Sequence, residues 1–381
     1  MPKQIVVLME GSGNAFDSSP SNVTRVLDLI HLSSRSGDAQ HQMALYDQGV
    51  GTRPVAVRDA CKIADDIRQR AGCNVSDLVV LDPPRRPRWM PGILPHLAGL
   101  AFGLGLERNV AEVVTAMCRT YKDGDKLFML GFSRGAFTVR VIAALLHRFG
   151  LPPADSDDIH SWVSSKMVLM RRDPVIARDG VTPLSVEVLG LWDTVKSYGV
   201  LRPRRFFHLR HNAGVQHVSH ALALDEKRSW FQCTTWGGLD IDAEQRDGRT
   251  PDHPRYPKPE HNPKQTVREM WFRGCHSDIG GGKDERENAE VALRWMLSEA
   301  KEAGLVLNAR GEIFLQQPDP TFPIQPHESR TWEWCLADII PRAEIDNDYS
   351  PARLNFRCWP TGQRDPQGAK RGGKYERHPT A

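Results

Sequence analysis

The stretch from Leu127 to Gly150, LFMLGFSRGAFTVRVIAALLHRFG, constrains the fold more than any other part of the chain. Leu127 to Leu130 is a short apolar run of strand length. After Ser133 the apolar residues Ala136, Phe137, Val139, Ile142, Ala143 and Leu146 recur at helical spacing. Between them stands Gly131-Phe132-Ser133-Arg134-Gly135, so strand, tight turn and helix meet at a serine. Such a sequence reads as a nucleophile elbow: the turn holds the hydroxyl above the sheet edge, and Gly131 and Gly135 stand where any Cβ would collide with strand or helix. The serine also sits at a helix N-terminus, where backbone N–H groups and the helix dipole favour developing negative charge. The competing reading is an ordinary strand-to-helix turn.

Upstream, Ile5 to Met9 is a continuous apolar run, the mark of a buried central strand. It ends in Glu10-Gly11-Ser12-Gly13-Asn14, a polar glycine turn at the carboxyl end of that strand, where α/β folds place their sites. As a phosphate cradle the turn lacks the third glycine of the dinucleotide fingerprint. As a source of an oxyanion-hole N–H, from Gly11 or Ser12, it corresponds to the loop that α/β-hydrolases use. Ser19-Pro20-Ser21 supplies cap and first-turn chemistry for a helix with Val23, Val26, Leu27 and Ile30 on one face. Met43 to Tyr46 is a further strand. From Arg53 to Pro95 the pattern breaks up, and Pro83-Pro84-Arg85-Arg86-Pro87-Arg88 reads as an exposed, extended excursion. Val110, Val113, Val114, Met117, Cys118 and Tyr121 mark an amphipathic helix that Asp123-Gly124 stops.

Downstream, the polar, helical segment 152–182 is expected to form part of a cap. Ser185 to Trp192 is a buried strand that delivers Asp193-Thr194-Val195. His220 to Glu226 is predicted as a helix, and Trp236 to Lys264 as a loop or lid. Val267 to Phe272 is the last strand and releases Arg273-Gly274-Cys275-His276-Ser277-Asp278, a histidine on a glycine-rich loop. Ala289 to Ala303 is amphipathic. The expected architecture is a single α/β domain over 1–345, a mostly parallel sheet with helices on both faces. Cap or lid insertions fall near 53–95, 152–182 and 236–266, and a polar, disordered tail covers 346–381.

A chain of 381 residues, 40% of them hydrophobic, is long enough for such a domain. Its net charge of +3 does not imply a nucleic-acid partner. Seven cysteines without a Cys-x-x-Cys pair indicate neither a disulfide framework nor a zinc knuckle, and fit a reducing compartment. The opening MPKQIVVLMEG runs into a strand too soon for a signal peptide, and no apolar stretch has membrane-spanning length. The expectation is synthesis in the cytoplasm, with any export using a route that needs no signal peptide.

Ser133, Asp193 and His276 occur in the Ser, Asp, His order of α/β-hydrolases, each after a strand-like run. Ser133 is the candidate nucleophile, His276 the candidate base, Asp193 the residue that orients the imidazole. The N–H groups of Arg134 and of the Gly11-Ser12 turn are the candidate oxyanion donors. Gly131, Gly135 and Asp278 support these loops. No cofactor is implied. Competing assignments are Asp225 as the acid, against a salt-bridging role; Asp278 as a cap of its own turn; His220 as the base; and a metal-dependent phosphoesterase site from His276, Asp278, Asp193 and Glu10. A non-catalytic binding module on a hydrolase scaffold is the remaining alternative.

On Ile5 to Asn14, Tyr46 to Thr52, Gly131 to Ala136, Leu191 to Val195, His220 to Glu226 and Trp271 to Gly282, the chain resembles the DUF2235 family, the catalytic domain of type VI secretion phospholipase effectors of the Tle1 type. Glu10 stands where that family usually has aspartate, and Ser12-Gly13 where it has Thr-Trp. The resemblance implies an α/β-hydrolase fold, a Ser133, Asp193 and His276 triad, and phospholipase A activity on acyl esters. It also implies a lipid substrate met at a membrane surface, and a secretion-apparatus or immunity partner.

Overall fold

The computed structural model describes residues 2–11, 20–33, 41–47, 65–66, 68–69, 73–81, 104–152, 156, 158–172, 182–195, 206, 209, 212–228, 231–236, 262–283, 287–318, 326–329, 342–344, 353–355, 364 and 376–379. Among the expectations above, those on Ser12, on Pro83 to Arg88 and on most of the 236–266 loop lie outside the described residues.

The apolar run at the N-terminus forms β1, Gln4–Met9, with Ile5 to Met9 fully buried. A strand needs apolar residues on both sides only when both faces of its sheet are covered, and that is the case here. β1 pairs in parallel with β2, Gln42–Asp47, on one side and with β4, Lys126–Phe132, on the other. β3, Leu78–Val80, extends the first side. Beyond β4 come β5, Val186–Trp192, β6, Val215–Ala223, β7, Thr266–Phe272, and finally β10, Glu376–Arg377, all parallel. The order is therefore β10-β7-β6-β5-β4-β1-β2-β3. The chain walks outward from β1 one way, returns past it to β4, and walks outward the other way. Between β1 and β4 the direction reverses, which is the position where open α/β sheets place their sites, at the carboxyl ends of the strands. A separate antiparallel pair joins β8, Arg342–Glu344, to β9, Arg353–Asn355, across the predicted domain boundary at 345.

Seven helices among the described residues cover the two faces. Ile5, Val7 and Met9 pack with α2, Leu104–Thr120, α3, Arg134–Phe149, and α4, Ile159–Arg172. Val6 and Leu8 pack with α1, Asn22–Leu29, α6, Glu287–Glu302, and α7, Ala309–Gln316. Alternate residues of one strand thus serve opposite layers. Ser21 caps α1 by accepting a hydrogen bond from the Thr24 amide at 3.3 Å. This is an α/β fold of α/β-hydrolase type, with the sheet parallel and helices on both faces.

Five expectations are corrected. His220 to Ala223 belongs to β6, not to a helix. Ala and Leu are good helix formers, but a strand covered on both faces has no polar alternation to mark it, and burial overrides propensity. The 53–95 segment contains β3, too short for a period to show. The segment carrying His276 is not a plain glycine loop: α5, His276–Gly280, makes one helical turn before Gly281 and Gly282, both at positive φ. In the tail predicted as disordered, β10 adds to the sheet, the His378 amide donates to the Trp271 carbonyl at 2.9 Å, and Arg364 reaches the interior. The helix expected to form part of a cap, α4, has Val163, Met167 and Met170 packed into the layer that holds α2 and α3.

Candidate active site

The turn between β4 and α3 forces Ser133 to φ 57° and ψ −118°, a conformation that L-residues rarely adopt. Two neighbours make it feasible. A Cβ on Gly131 would lie 2.7 Å from the amide of Ala136, and one on Gly135 would lie 2.1 Å from the carbonyl oxygen of Met9. Only glycine permits so tight a return of α3 over the end of β1. The Ser133 amide donates to the Trp192 carbonyl of β5 at 2.9 Å, which fixes the turn to the neighbouring strand.

The chain leaves β5 through Asp193, itself at φ 39°, whose amide donates to the Ala221 carbonyl at 2.8 Å. β7 leads through Gly274 to α5, with His276 at its first position. Asp278 caps that turn: its carboxylate accepts from the Cys275 amide at 2.8 Å, and its own amide closes the turn by donating to the Cys275 carbonyl at 2.9 Å. The three loops meet in series. His276 Nε2 lies 2.8 Å from Ser133 Oγ, and His276 Nδ1 lies 2.6 Å from Asp193 Oδ2. Ser133 and His276 are 7% and 6% exposed, and Asp193 is wholly buried, so water has little access to these bonds.

The imidazole is held from several directions. Phe132 lies against it at a centroid distance of 4.6 Å, and Phe231 meets it edge-on at 4.9 Å. Its backbone amide donates to Glu226 Oε2 at 3.1 Å. Arg228 grips the same carboxylate through Nε at 2.9 Å and Nη2 at 2.8 Å, and Ser329 donates to it at 2.9 Å.

Charge states follow from these surroundings. Burial pushes the His276 imidazole below its ordinary value, and the hydrogen bond and charge of Asp193 offset this only in part, so the ring is neutral near pH 7. Burial alone would raise the Asp193 carboxyl, but the Arg364 guanidinium and His276 outweigh it and hold it well below the usual carboxylate range. Glu226, also penalised by burial, is brought down to about 2 by Arg228 and then by Arg364. A neutral imidazole between an anionic carboxylate and a hydroxyl is able to accept the hydroxyl proton.

The remaining sequence candidates take other places. Gly11 lies beside Ser133: a Cβ on it would be 3.1 Å from the serine Cβ. Arg134 opens α3, where its amide lies at the positive end of the helix dipole. Asp225 receives Arg273 Nε at 2.8 Å and the Gly274 amide at 2.7 Å, which makes it a structural ion pair. Asp278 caps α5 and also holds His327, through its ring at 2.5 Å and its amide at 3.0 Å. His220 on β6 is buried, bonded to Glu269 at 3.1 Å, and accepts from the Thr194 amide at 3.2 Å, so it braces the Asp193 loop from beneath. Glu10 accepts from Ser21, Thr24 and Tyr46, at 2.5, 2.5 and 3.2 Å. No group of three or more His, Cys, Asp or Glu side chains among the described residues is arranged to hold a metal ion.

Sequence reasoning missed Arg364, Glu226, Arg228 and Phe231. Glu226, Phe231 and Arg364 act through contacts with residues far along the chain, and Arg228 acts through Glu226, so none carries a local signal of its role. Arg364 in particular stands in a Gly/Lys/Arg-rich tail whose composition reads as solvated.

The chain matches the family described as the catalytic domain of type VI secretion system Tle1-like phospholipase effectors, over residues 3–166 and 165–299. The chain belongs to this family. Ser133, Asp193 and His276 all fall within the matched stretches of the Tle1-like domain, and Arg364 falls beyond them. An uncharacterized protein of Saccharomyces cerevisiae (strain ATCC 204508 / S288c), YEL023C, is 26% identical over 248 residues. The match takes in 60% of this chain and 32% of that protein, so the chain spans about a third of the relative's length. An uncharacterized protein from Pseudomonas aeruginosa of solved structure is 20% identical with a TM-score of 0.39, over 82% of this chain and 48% of that one. The structure of the Tle1 effector bound to the VgrG spike from the type 6 secretion system is 14% identical with a TM-score of 0.42, over 83% and 76% of the two chains.

Proposed function

We propose that the protein is a serine hydrolase that cleaves carboxylic acyl esters, acting as a phospholipase A. The single observation that carries this reading is the unbroken series from Ser133 Oγ through His276 to Asp193, at 2.8 and 2.6 Å. Ser133 attacks the acyl carbonyl as His276 Nε2 takes its proton. The tetrahedral oxyanion is received by the amides of Arg134 and Gly11, the second of which belongs to the loop after β1, across the switch point from the nucleophile elbow. His276 then returns the proton to the leaving alcohol, and water repeats the sequence on the acyl-enzyme. Asp193, ionised throughout, keeps Nδ1 as the protonated nitrogen and stabilises the imidazolium.

The lipid class rests on membership of the Tle1-like family, as does a partner from the type VI apparatus, with synthesis in the cytoplasm and export without a signal peptide. No helix among the described residues is long and apolar enough to cross a membrane; that the lipid is met at a membrane surface rests, like the lipid class, on the family. The test is labelling by a fluorophosphonate, followed by release of fatty acid from phosphatidylcholine vesicles. Wild type is expected to label and turn over, and Ser133→Ala and His276→Ala to do neither. Labelling of Ser133→Ala at the wild-type rate would reject the nucleophile.

A further inference from the structure

Asp193 is held by more than His276. Arg364 Nη1 donates to its Oδ1 at 2.5 Å and Nη2 to its Oδ2 at 3.1 Å, while the same guanidinium reaches the carbonyl oxygens of Ala223, at 3.1 Å, and Phe231. The Ala223 amide adds a bond to Oδ1 at 3.1 Å. One planar fork therefore ties together the end of β6, the loop whose Phe231 packs on the imidazole, and the carboxylate behind it. A planar guanidinium meets both oxygens of a carboxylate at once, which the point charge of an ammonium group does not.

We propose that Arg364, supplied by the C-terminal segment beyond the Tle1-like stretch, is a positioning residue that clamps Asp193 in the rotamer and charge state His276 requires. The clamp acts through Asp193 and touches neither substrate nor nucleophile.

The groups facing the Asp193–His276 pair make its effect on proton uptake definite. Glu226 and Arg228, from the loop after β6, form a pair of their own. Cys233, further along that loop, is pushed up to about 11 by burial and stays neutral. His220 lies beneath on β6, pushed down by burial and bonded to Glu269. Asp278, two residues beyond His276, is engaged by His327 and the Cys275 amide. Arg364 is thus the cation in direct contact with the carboxylate that faces the imidazole. Without it the negative charge of Asp193 is shared with fewer donors, and the pair binds its next proton more readily, whichever member carries it.

The inference rests on the serine-hydrolase reading for its kinetic arm alone. The experiment uses the full chain, labelled with ¹⁵N-histidine, with the His276 signals assigned by their loss in His276→Gln. Proton uptake by the pair is followed by NMR in wild type, Arg364→Gln and Arg364→Lys, and each protein is assayed on p-nitrophenyl butyrate across pH. In Arg364→Gln the titration is expected to move up by about one pH unit. The acid limb of kcat should follow it, and on the plateau above both titrations kcat should fall on the order of tenfold as Asp193 loses its fixed rotamer, with KM little changed. Arg364→Lys keeps a charge without the fork and should lie between the two. If it alone folds, its upward displacement from wild type carries the test. Both variants titrating as wild type does, even with a lowered Tm, would overturn the clamp and leave the hydrolase reading untouched. An upward shift in the variants, with a wild type that never turns over the ester, would uphold the clamp and sink the hydrolase reading instead.

Discussion

Ser133 sits at positive φ, and a residue with a Cβ held there stores on the order of 1–3 kcal/mol of backbone strain. Two variants isolate that strain, because both remove the hydroxyl: Ser133→Gly should be more stable than Ser133→Ala by about 1 kcal/mol, read by denaturant unfolding, while neither hydrolyses ester. Equal stabilities would mean that the turn is relaxed. The imidazole makes a second claim at the same scale. Its protonated form is inactive and its value lies below the ordinary 6.5, so esterase activity should persist into mildly acid solution, with the midpoint of the acid limb below that value. Stability has its own sign. The buried His276 and His220 both bind protons less readily folded than unfolded, so neither affects folding above about pH 6.5, and each destabilises as pH falls below it towards the depressed native value. The Tm should therefore fall between pH 7.5 and 5.5, a window above that in which unfolded carboxylates titrate. A Tm that is flat over that interval would contradict the burial of the two rings.

At the scale of elements, the arrangement depends on short, well-capped pieces. α5 has one turn, and Asp278 both caps it and holds His327, so Asp278→Ala should cost about 1–2 kcal/mol of stability and lower kcat more than KM as His276 loosens. An unchanged kcat would show that α5 keeps its place without the cap. Gly135→Ala is a harsher change: its Cβ would overlap the Met9 carbonyl, and a loss of about 3 kcal/mol or more is expected on thermal unfolding. The elements around Ser133 were readable because each has the period of its class: β1 and β4 as unbroken apolar runs, α2 and α3 as helical stripes. His220 to Glu226 misled because β6 is covered on both faces and carries alanine and leucine, which by pattern alone fit a helix. β3 and β10, with three and two residues, are too short for any period to register.

Across the whole molecule, the site is a product of topology. β1 and β4 flank the switch point, so Gly11 and Ser133 lie side by side, and β5 and β7 bring Asp193 and His276 to the same rim. The order Ser133, Asp193, His276 made that convergence legible before any coordinate, since parallel strands expose their carboxyl ends together. Arg364 was illegible for the opposite reason: its partner lies at a distance no local pattern spans, and its surroundings look solvated. The carboxylate of Asp193 is already filled by His276, Arg364 and the Ala223 amide, which leaves no oxygen for a metal ion. Ester hydrolysis should accordingly be unaffected by EDTA, and a loss of rate restored by a divalent cation would argue for the phosphoesterase alternative.

The contact between Arg364 and Asp193 also has a temporal side. A ribosome delivers the nucleophile, the acid and the base well before it delivers the guanidinium, so a nascent chain carries all three without the counter-ion that locks them together. A polypeptide halted short of that residue would hold the hydroxyl, the imidazole and the carboxylate with the last of these ungripped, so on the reading proposed above it should work slowly rather than not at all.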